Sequence, residues 1–536
     1  MSQTLKIERM TYGADALAHD ADGKVVFVQG AVAGDVVDAQ IVESGSSFSR
    51  AVVNSIVEPS PQRVASKCPY AEICGGCPWA SLSHESQLLA KRANVVDALV
   101  RIGHMDPRDA ETLVDPCESP SPAWGYRNKV ELAFERKGRR ATLGMHAVAA
   151  SDGAPAVVKV DECLLLDKRY KRMVRSVSGA LGYLAGSHNI ALERVGIRTS
   201  SRTRDVEIAL WTSPGAFPRT QAAKVLHDAT KATSVVRVLS KGPKKARKVS
   251  GVEVLSGRGH WRERLGGNTM MLSAPSFFQV NTAGAERLVQ LVIEGLSPQE
   301  DDEAMDLYCG AGTFTLPLAE RCAWVSAVES YGPAVRDLRR NLDSAQLGNV
   351  EPIGGDAGRE FPDTEADIIV VDPPRAGLAA DVVNKLSEQP ARAIAYVSCD
   401  PATLARDLAR FAHHGTFAPT HITPVDLFPQ TYHVETVCLL SKLSEAKHHI
   451  SVQVDMEELD VTAAESKATY EEIQAWVQEK YGFHVSHLNI AKTKRKCGII
   501  ERQNYNLPKS EDSRSPETPK EKEEAIVAAF KAFQMI

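Results

Sequence analysis

Residues 302–319, DEAMDLYCGAGTFTLPLA, read as a strand, a glycine-rich turn and a helix. The apolar run ends at Leu307, Gly310 and Gly312 follow, and a helical pattern begins. Glycine has no Cβ, so it lets a backbone turn tightly and approach a ligand. Gly-x-Gly alone fits an ordinary tight turn as well as a nucleotide site. Its neighbours add weight. The next apolar run, AWVSAVES, ends at Glu329, about 20 residues past the turn, where an acid can meet ribose hydroxyls. Asp356 in GGDAG and Asp372 in DIIVVDPPRAGL also lie just beyond apolar runs. From about residue 285 to 442 such runs alternate with helical patterns. This predicts a parallel α/β sheet with a ligand crevice at the carboxyl ends of its strands.

A last strand of this kind, Ala393–Val397, leads into Ser398-Cys399-Asp400-Pro401 and another helix. A cysteine there can be a small hydrophobe or a nucleophile. Both readings stand on the residues alone.

Working outward, 536 residues are too many for one core and suggest three or four domains. The first 60 residues are Val-rich short runs broken by Gly30, Gly34 and a Gly-Ser cluster, a pattern for a small OB-like β-barrel. Pro59 and Pro61 mark a linker. A helix is expected from about Ser83 to Ile102, with Leu88, Leu89, Val95, Val96, Leu99 and Val100 on its buried face. Residues 125–265 read mostly as strands and hairpins. Beyond 443, Thr469 and Glu472 cap a helix stopped by Gly482, HVSHLNIAK suggests a strand, and a final helix carries Ile526, Val527, Phe530 and Phe533. The expected architecture is therefore α/β: barrel 1–60, a central mainly β domain 61–268, a Rossmann-like domain 269–443, and a small α+β extension 444–536.

Net charge is −5, which leaves local basic patches free to meet nucleic acid. ERKGRRA (135–141), SKGPKKARK (240–248) and KTKRK (492–496) are such patches, or solvated surface. No run is apolar enough to span a membrane, and the charged start MSQTLKIERM does not suit a signal peptide. A cytoplasmic, monomeric protein is expected. In that reducing setting the ten cysteines point to metal or catalytic roles before disulfides. Cys68-x5-Cys74-x2-Cys77, with Cys163 far off, suits four-thiolate ligation by zinc or by an iron–sulfur cluster, and spacing does not choose.

DPPR (372–375), SCDPATLARDL (398–408) and FPQTYHVETV (428–437) together resemble the RNA uracil-5-methyltransferase family, a class I S-adenosylmethionine-dependent group, over residues 1 to about 443. The resemblance implies that the first 60 residues form a TRAM domain. It implies Cys399 as nucleophile and Glu435 as general base. Gln279, Tyr308, Gly310, Glu329, Asp356 and Asp372 are implied as contacts of the methyl donor. Phe277 and Phe278 are candidates for stacking on a flipped base, and Arg127, Asn128 and Lys129 for RNA contact. The cysteine spacing resembles the 4Fe-4S site of ribosomal-RNA members, so Cys68, Cys74, Cys77 and Cys163 are implied ligands of a structural cluster. The expected activity is 5-methyluridine formation in RNA, with 23S ribosomal RNA as target. The alternatives are the same reaction on the T-loop of transfer RNA, a non-catalytic RNA-binding ribosome-assembly factor, and a methyltransferase acting on protein or a small molecule.

Overall fold

The computed structural model describes residues 2–137, 140–148, 157–188, 190–242, 248–443, 470–497 and 518–533. The chain divides into two compact units, Met1–Phe361 with Asp367–Leu443, and Pro362–Ala366 with Ser444–Ile536.

In the first unit, the N-terminal residues form a six-stranded sheet, in the order Ser2–Lys6, Val36–Ser44, Phe48–Glu58, Val25–Gln29, Ala16–His19, Arg9–Met10. Its two edge strands are successive in the chain. Between them, the Ile7 N–H donates to Asp35 O and the Glu8 N–H to Leu17 O, so one short segment joins both edges. Alternating Val and Ala side chains fill the interior, and Trp79 and Leu82 close it.

The helix His84–Arg101 starts at Ser83, whose side chain accepts from the Ser86 N–H. Its buried face differs from the expected one. Gln87, Lys91 and Asn94 lie inside and Leu89 is exposed; Lys91 meets Asp426 and the Phe428 carbonyl and Gln87 meets Gln430, while Asn94 Nδ2 has no hydrogen-bond partner.

A seven-stranded sheet follows, ordered Lys248–Gly257, Ser234–Lys241, Val206–Thr212, Leu192–Thr199, Lys129–Lys137, Arg140–His146, Val157–Lys159. Two helices, Met173–Ser187 and Arg219–Thr230, stand within the region that the sequence pattern reads as mostly strands and hairpins. Gly179, Gly182 and Gly186 weaken the helical signature of the first, yet Val177, Leu181 and Leu184 still bury one stripe in the core. The tips of both basic hairpins, 138–139 and 243–247, lie outside the described residues.

The third large sheet is ordered Val350–Gly354, Trp324–Glu329, Glu303–Leu307, Ile368–Val371, Ala393–Ser398, Glu435–Lys442, Phe417–Val425. The first five strands are parallel and the last two antiparallel. Ile368–Val371 and Ala393–Ser398 are buried throughout, as expected for parallel strands covered on both faces.

The second unit is helical in its described residues: Tyr470–Tyr481, His487–Lys496 and Lys520–Ala532. Gly482 ends the first at φ 76. The strand expected at 484–492 is helix instead, because buried Ile490 and Thr493 and half-buried Cys497 recur at spacings of three and four. Thr469, expected to cap the first helix, lies outside the described residues. Ile526 and Phe530 are buried on the last helix as expected.

Candidate active site at the carboxyl edge of the third sheet

Parallel strands present their carboxyl ends along one edge. Tyr308, Asp372 and Cys399 each follow the last residue of a strand, and Glu329 ends one. Glu435 opens an antiparallel strand, so its beginning lies at that same edge. Ser398 pairs with Thr436 across the ladder, which sets Cys399 beside Glu435.

The glycine turn separates two roles. Tyr308 takes φ 65, a left-handed conformation that costs a non-glycine residue about 1–3 kcal/mol. Gly310 has φ 59, and a side chain there would meet open space. Gly312 has φ 100, and a side chain there would press into Leu316 and Leu338. Only Gly310 therefore borders the crevice, while Gly312 serves packing. Glu329 reaches back to this turn, accepting from the Gly310 N–H at 3.0 Å and the Tyr331 N–H at 2.6 Å. Asp356 is exposed on the rim and accepts from the Gly358 N–H at 3.0 Å. Tyr308 is pushed up to about 12, first by burial and then by Asp356.

Buried acid dominates the centre. Burial pushes Asp372 up to about 7, and Glu329 adds to it, although the side chain keeps some solvent access. Glu435 is 2 % exposed, and burial followed by Asp372 holds its carboxyl well above the usual range, against Arg375. Its Oε2 has no hydrogen-bond partner. Burial likewise pushes the Cys399 thiol up to about 12, with Glu435 and Asp372 next in effect and Arg375 opposing. Cys399, Glu435 and Asp372 thus share one electrostatic neighbourhood.

Three partners of this group escaped the sequence reading. Arg375 is the cation within it, and its Nη2 lies 3.4 Å from His433 Nδ1. Its place in DPPR was the available signal. His433 is pushed down to about 4 by burial, then by Arg375. Asp306 is fully buried under the glycine turn and raised to about 8 by burial; Thr315 Oγ1 donates to it at 2.6 Å. An acid inside the apolar run AMDL was the clue.

Gln279 is 4 % exposed, and its Oε1 has no hydrogen-bond partner. The loop carrying it is tied down by Asn128, whose Nδ2 donates to Gln279 O at 2.9 Å and Thr282 Oγ1 at 3.0 Å. This corrects the expected RNA contact: Asn128 is a buried brace. Lys129 is half-buried and paired with Glu131 at 2.8 Å. Phe278 packs edge-on against Trp261, ring centroids 5.9 Å apart, whereas Phe277 is 66 % exposed. Only Phe277 is available to stack on a base.

The FPQTYHVE segment is held from the helix His84–Arg101. Lys91 Nζ bonds Asp426 and donates to Phe428 O at 3.1 Å, and Gln87 Oε1 accepts from the Gln430 N–H at 2.8 Å.

Cys163, distant in sequence, comes together in space with Cys68, Cys74 and Cys77. Burial pushes Cys77 up to about 12, and then Cys163, Cys74 and Cys68 each add to it. The Leu166 N–H donates to Cys163 O at 3.3 Å, and the Cys163 N–H donates to Lys171 O at 3.0 Å. Among the described residues no group of side chains has the geometry to hold a metal ion.

Comparison with known proteins agrees with this architecture. The family model for tRNA (uracil-5-)-methyltransferases matches residues 268–443. An uncharacterized RNA methyltransferase of Thermosynechococcus vestitus is 33% identical over 442 residues, covering 80% of this chain and 96% of that protein. One from Chlorobaculum tepidum is 34% identical, covering 78% and 92%. The crystal structure of the Pyrococcus abyssi tRNA (uracil-54, C5)-methyltransferase in complex with S-adenosyl-L-homocysteine superposes with a TM-score of 0.63 at 26% identity, covering 82% of this chain and 99% of that one. With sequence similarity along most of its length and the reactive side chains gathered at one sheet edge, the chain belongs to the RNA uracil-5-methyltransferase family.

Proposed function

We propose that this protein forms 5-methyluridine in RNA, with Cys399 as nucleophile, Glu435 as general base and S-adenosylmethionine as methyl donor. The carrying observation is the ladder register that sets Cys399 beside Glu435, with Asp372 in the same field. Uracil C5 is too weak a nucleophile to take a methyl group unaided. Addition of the Cys399 thiolate to C6 moves the ring's electron pair toward O4 and makes C5 electron-rich. The donor supplies a methyl group on a sulfonium. Once C5 carries it, Glu435 removes the C5 proton, the C5=C6 bond re-forms and the C6–S bond breaks. A carboxyl group with a raised pKa is a strong base once ionised, as removal of a carbon-bound proton requires. In this reading the Asp372 carboxylate would accept from uracil N3–H. Gln279, with its orphan Oε1, the open side of Gly310 and the Glu329 carboxylate support a donor cradle along the crevice.

Cys68, Cys74, Cys77 and Cys163 would hold a 4Fe-4S cluster that cross-links the segment around residues 68–77 to the central sheet. The converging thiols support this. Protein purified without oxygen should be brown, with about four irons per chain, and Cys77→Ser should be colourless. Stoichiometric zinc in colourless wild-type protein would overturn the cluster.

The proposed target is large-subunit ribosomal RNA, which the cysteine spacing supports through its resemblance to ribosomal-RNA members. Transfer RNA is the second reading, favoured by the Pyrococcus abyssi enzyme. Mapping 5-methyluridine in both RNAs from cells with and without the gene decides it. Loss of a ribosomal site bears the first out, loss of a transfer-RNA site the second, and no loss in either contradicts both.

A further inference from the structure

The N-terminal sheet reaches the catalytic edge through Tyr12. Tyr12 sits in the turn between the strands Arg9–Met10 and Ala16–His19. Its hydroxyl donates to the carbonyl oxygen of Cys399 at 2.9 Å. Among the described residues this is the one side-chain hydrogen bond made to Cys399.

The contact is specific in a way that packing alone does not demand. The Cys399 carbonyl and the Asp400 N–H belong to one planar peptide unit. The N–H end is held by Ser398 Oγ at 3.2 Å and the carbonyl end by Tyr12. Asp400 then caps the next helix by accepting from the Ala402 and Thr403 N–H groups at 3.0 and 3.1 Å. With both ends of the peptide pinned, rotation of this unit is restrained, and with it the direction in which the Cys399 Cα–Cβ bond leaves the backbone. The Tyr12 ring is fixed independently. It packs edge-on against Tyr432, with centroids 5.7 Å apart. Trp79 Nε1 donates to Gly13 O at 3.1 Å, and the Trp79 N–H donates to Gln430 O at 3.0 Å. The turn of the N-terminal sheet and the segment carrying Tyr432 are therefore stapled together.

We propose that Tyr12 is a positioning residue for the methyl-transfer site: its hydroxyl fixes the Cys399–Asp400 peptide and so aims the thiol at uracil C6, which makes the N-terminal sheet part of the catalytic apparatus. The proposal rests on the assignment of Cys399 as nucleophile. Burial, followed by Asp400 and Cys399, holds the Tyr12 phenol far above its ordinary value, so it stays a donor across the working pH range. A positioning group of this kind acts on the rate of bond formation more than on RNA affinity, because nucleophile geometry matters at the reacting atoms.

Tyr12→Phe keeps the ring and its contact with Tyr432 and removes only the hydroxyl. The test uses the full chain with a mixture of ribosomal and transfer RNA transcripts containing 5-fluorouridine, and follows the covalent complex under single-turnover conditions. At saturating RNA the rate of complex formation should fall about five- to tenfold, the worth of one neutral hydrogen bond. The RNA concentration giving half the maximal rate should stay within about twofold, a margin well under one hydrogen bond. Tyr12→Ala, which also loses the ring, should be slower still and should raise that concentration. An unchanged rate in Tyr12→Phe, or a change in half-saturation with the maximal rate intact, overturns the proposal and leaves Tyr12 a packing or RNA-docking residue. If wild-type protein traps no RNA at all, it is the assignment of Cys399 that fails.

Discussion

Cys399→Ala protein will not form a covalent complex with 5-fluorouridine RNA, and its turnover on natural RNA will fall by about 10⁴-fold or more, as when other covalent enzymes lose their nucleophile. Fluorine at C5 cannot leave as a proton, so the wild-type enzyme should stall with the pyrimidine joined through C6 to sulfur. Denaturing electrophoresis reads this directly as a slower band. The environment of the thiol adds a second signature. Burial pushes it up to about 12, so little thiolate exists at neutral pH in the free protein. Well below that value the thiolate fraction grows about tenfold per pH unit. Trapping by wild-type protein should therefore quicken from pH 7 to pH 9. A slower band from the alanine variant, at any pH, would show that another group attacks the ring.

Glu435→Gln separates the two halves of the reaction. Addition and methyl transfer need no base at C5, so one equivalent of methyl group should pass to RNA. Release requires removal of the C5 proton, and loss of the base should slow turnover about 10²–10⁴-fold. Methylated RNA should then accumulate bound to Cys399 without any fluorinated analogue. Radiolabel from the donor would migrate with protein under denaturing conditions. The substitution is close to isosteric, and Oε2 has no hydrogen-bond partner to lose, so the fold should tolerate it. Unimpaired multiple turnover would remove Glu435 from the role of base.

The chemistry was more legible in the sequence than the scaffold that aims it. Asp372, Glu329 and Cys399 stand out because each follows an apolar run in local sequence, and local order alone dictates that parallel strands share a carboxyl edge. Glu435 is different: its run gives no hint of the ladder partner, and only the resemblance of the whole segment pointed to it. Tyr12 lies 387 residues from the carbonyl it bonds, and no pattern within a window can reveal such a pairing. Asn128, Lys91 and Gln87 look like surface polar residues in sequence, yet they are buried because backbone atoms of other segments need partners there. The central helices and the helix at 487–496 were missed for a simpler reason. Glycine, β-branched residues and short length blur helical and strand signals, and tertiary burial decides between them.

The antiparallel pairing of Ala393–Ser398 with Glu435–Lys442 has a consequence for how such an enzyme can diversify. Adjacent strands stand about 4.8 Å apart because main-chain hydrogen bonds hold them there. The spacing of Cys399 and Glu435, the proposed attacker and proton acceptor, is thus written into the backbone and survives changes of loop length or surface charge. Exchange of other parts of the chain leaves that spacing unchanged.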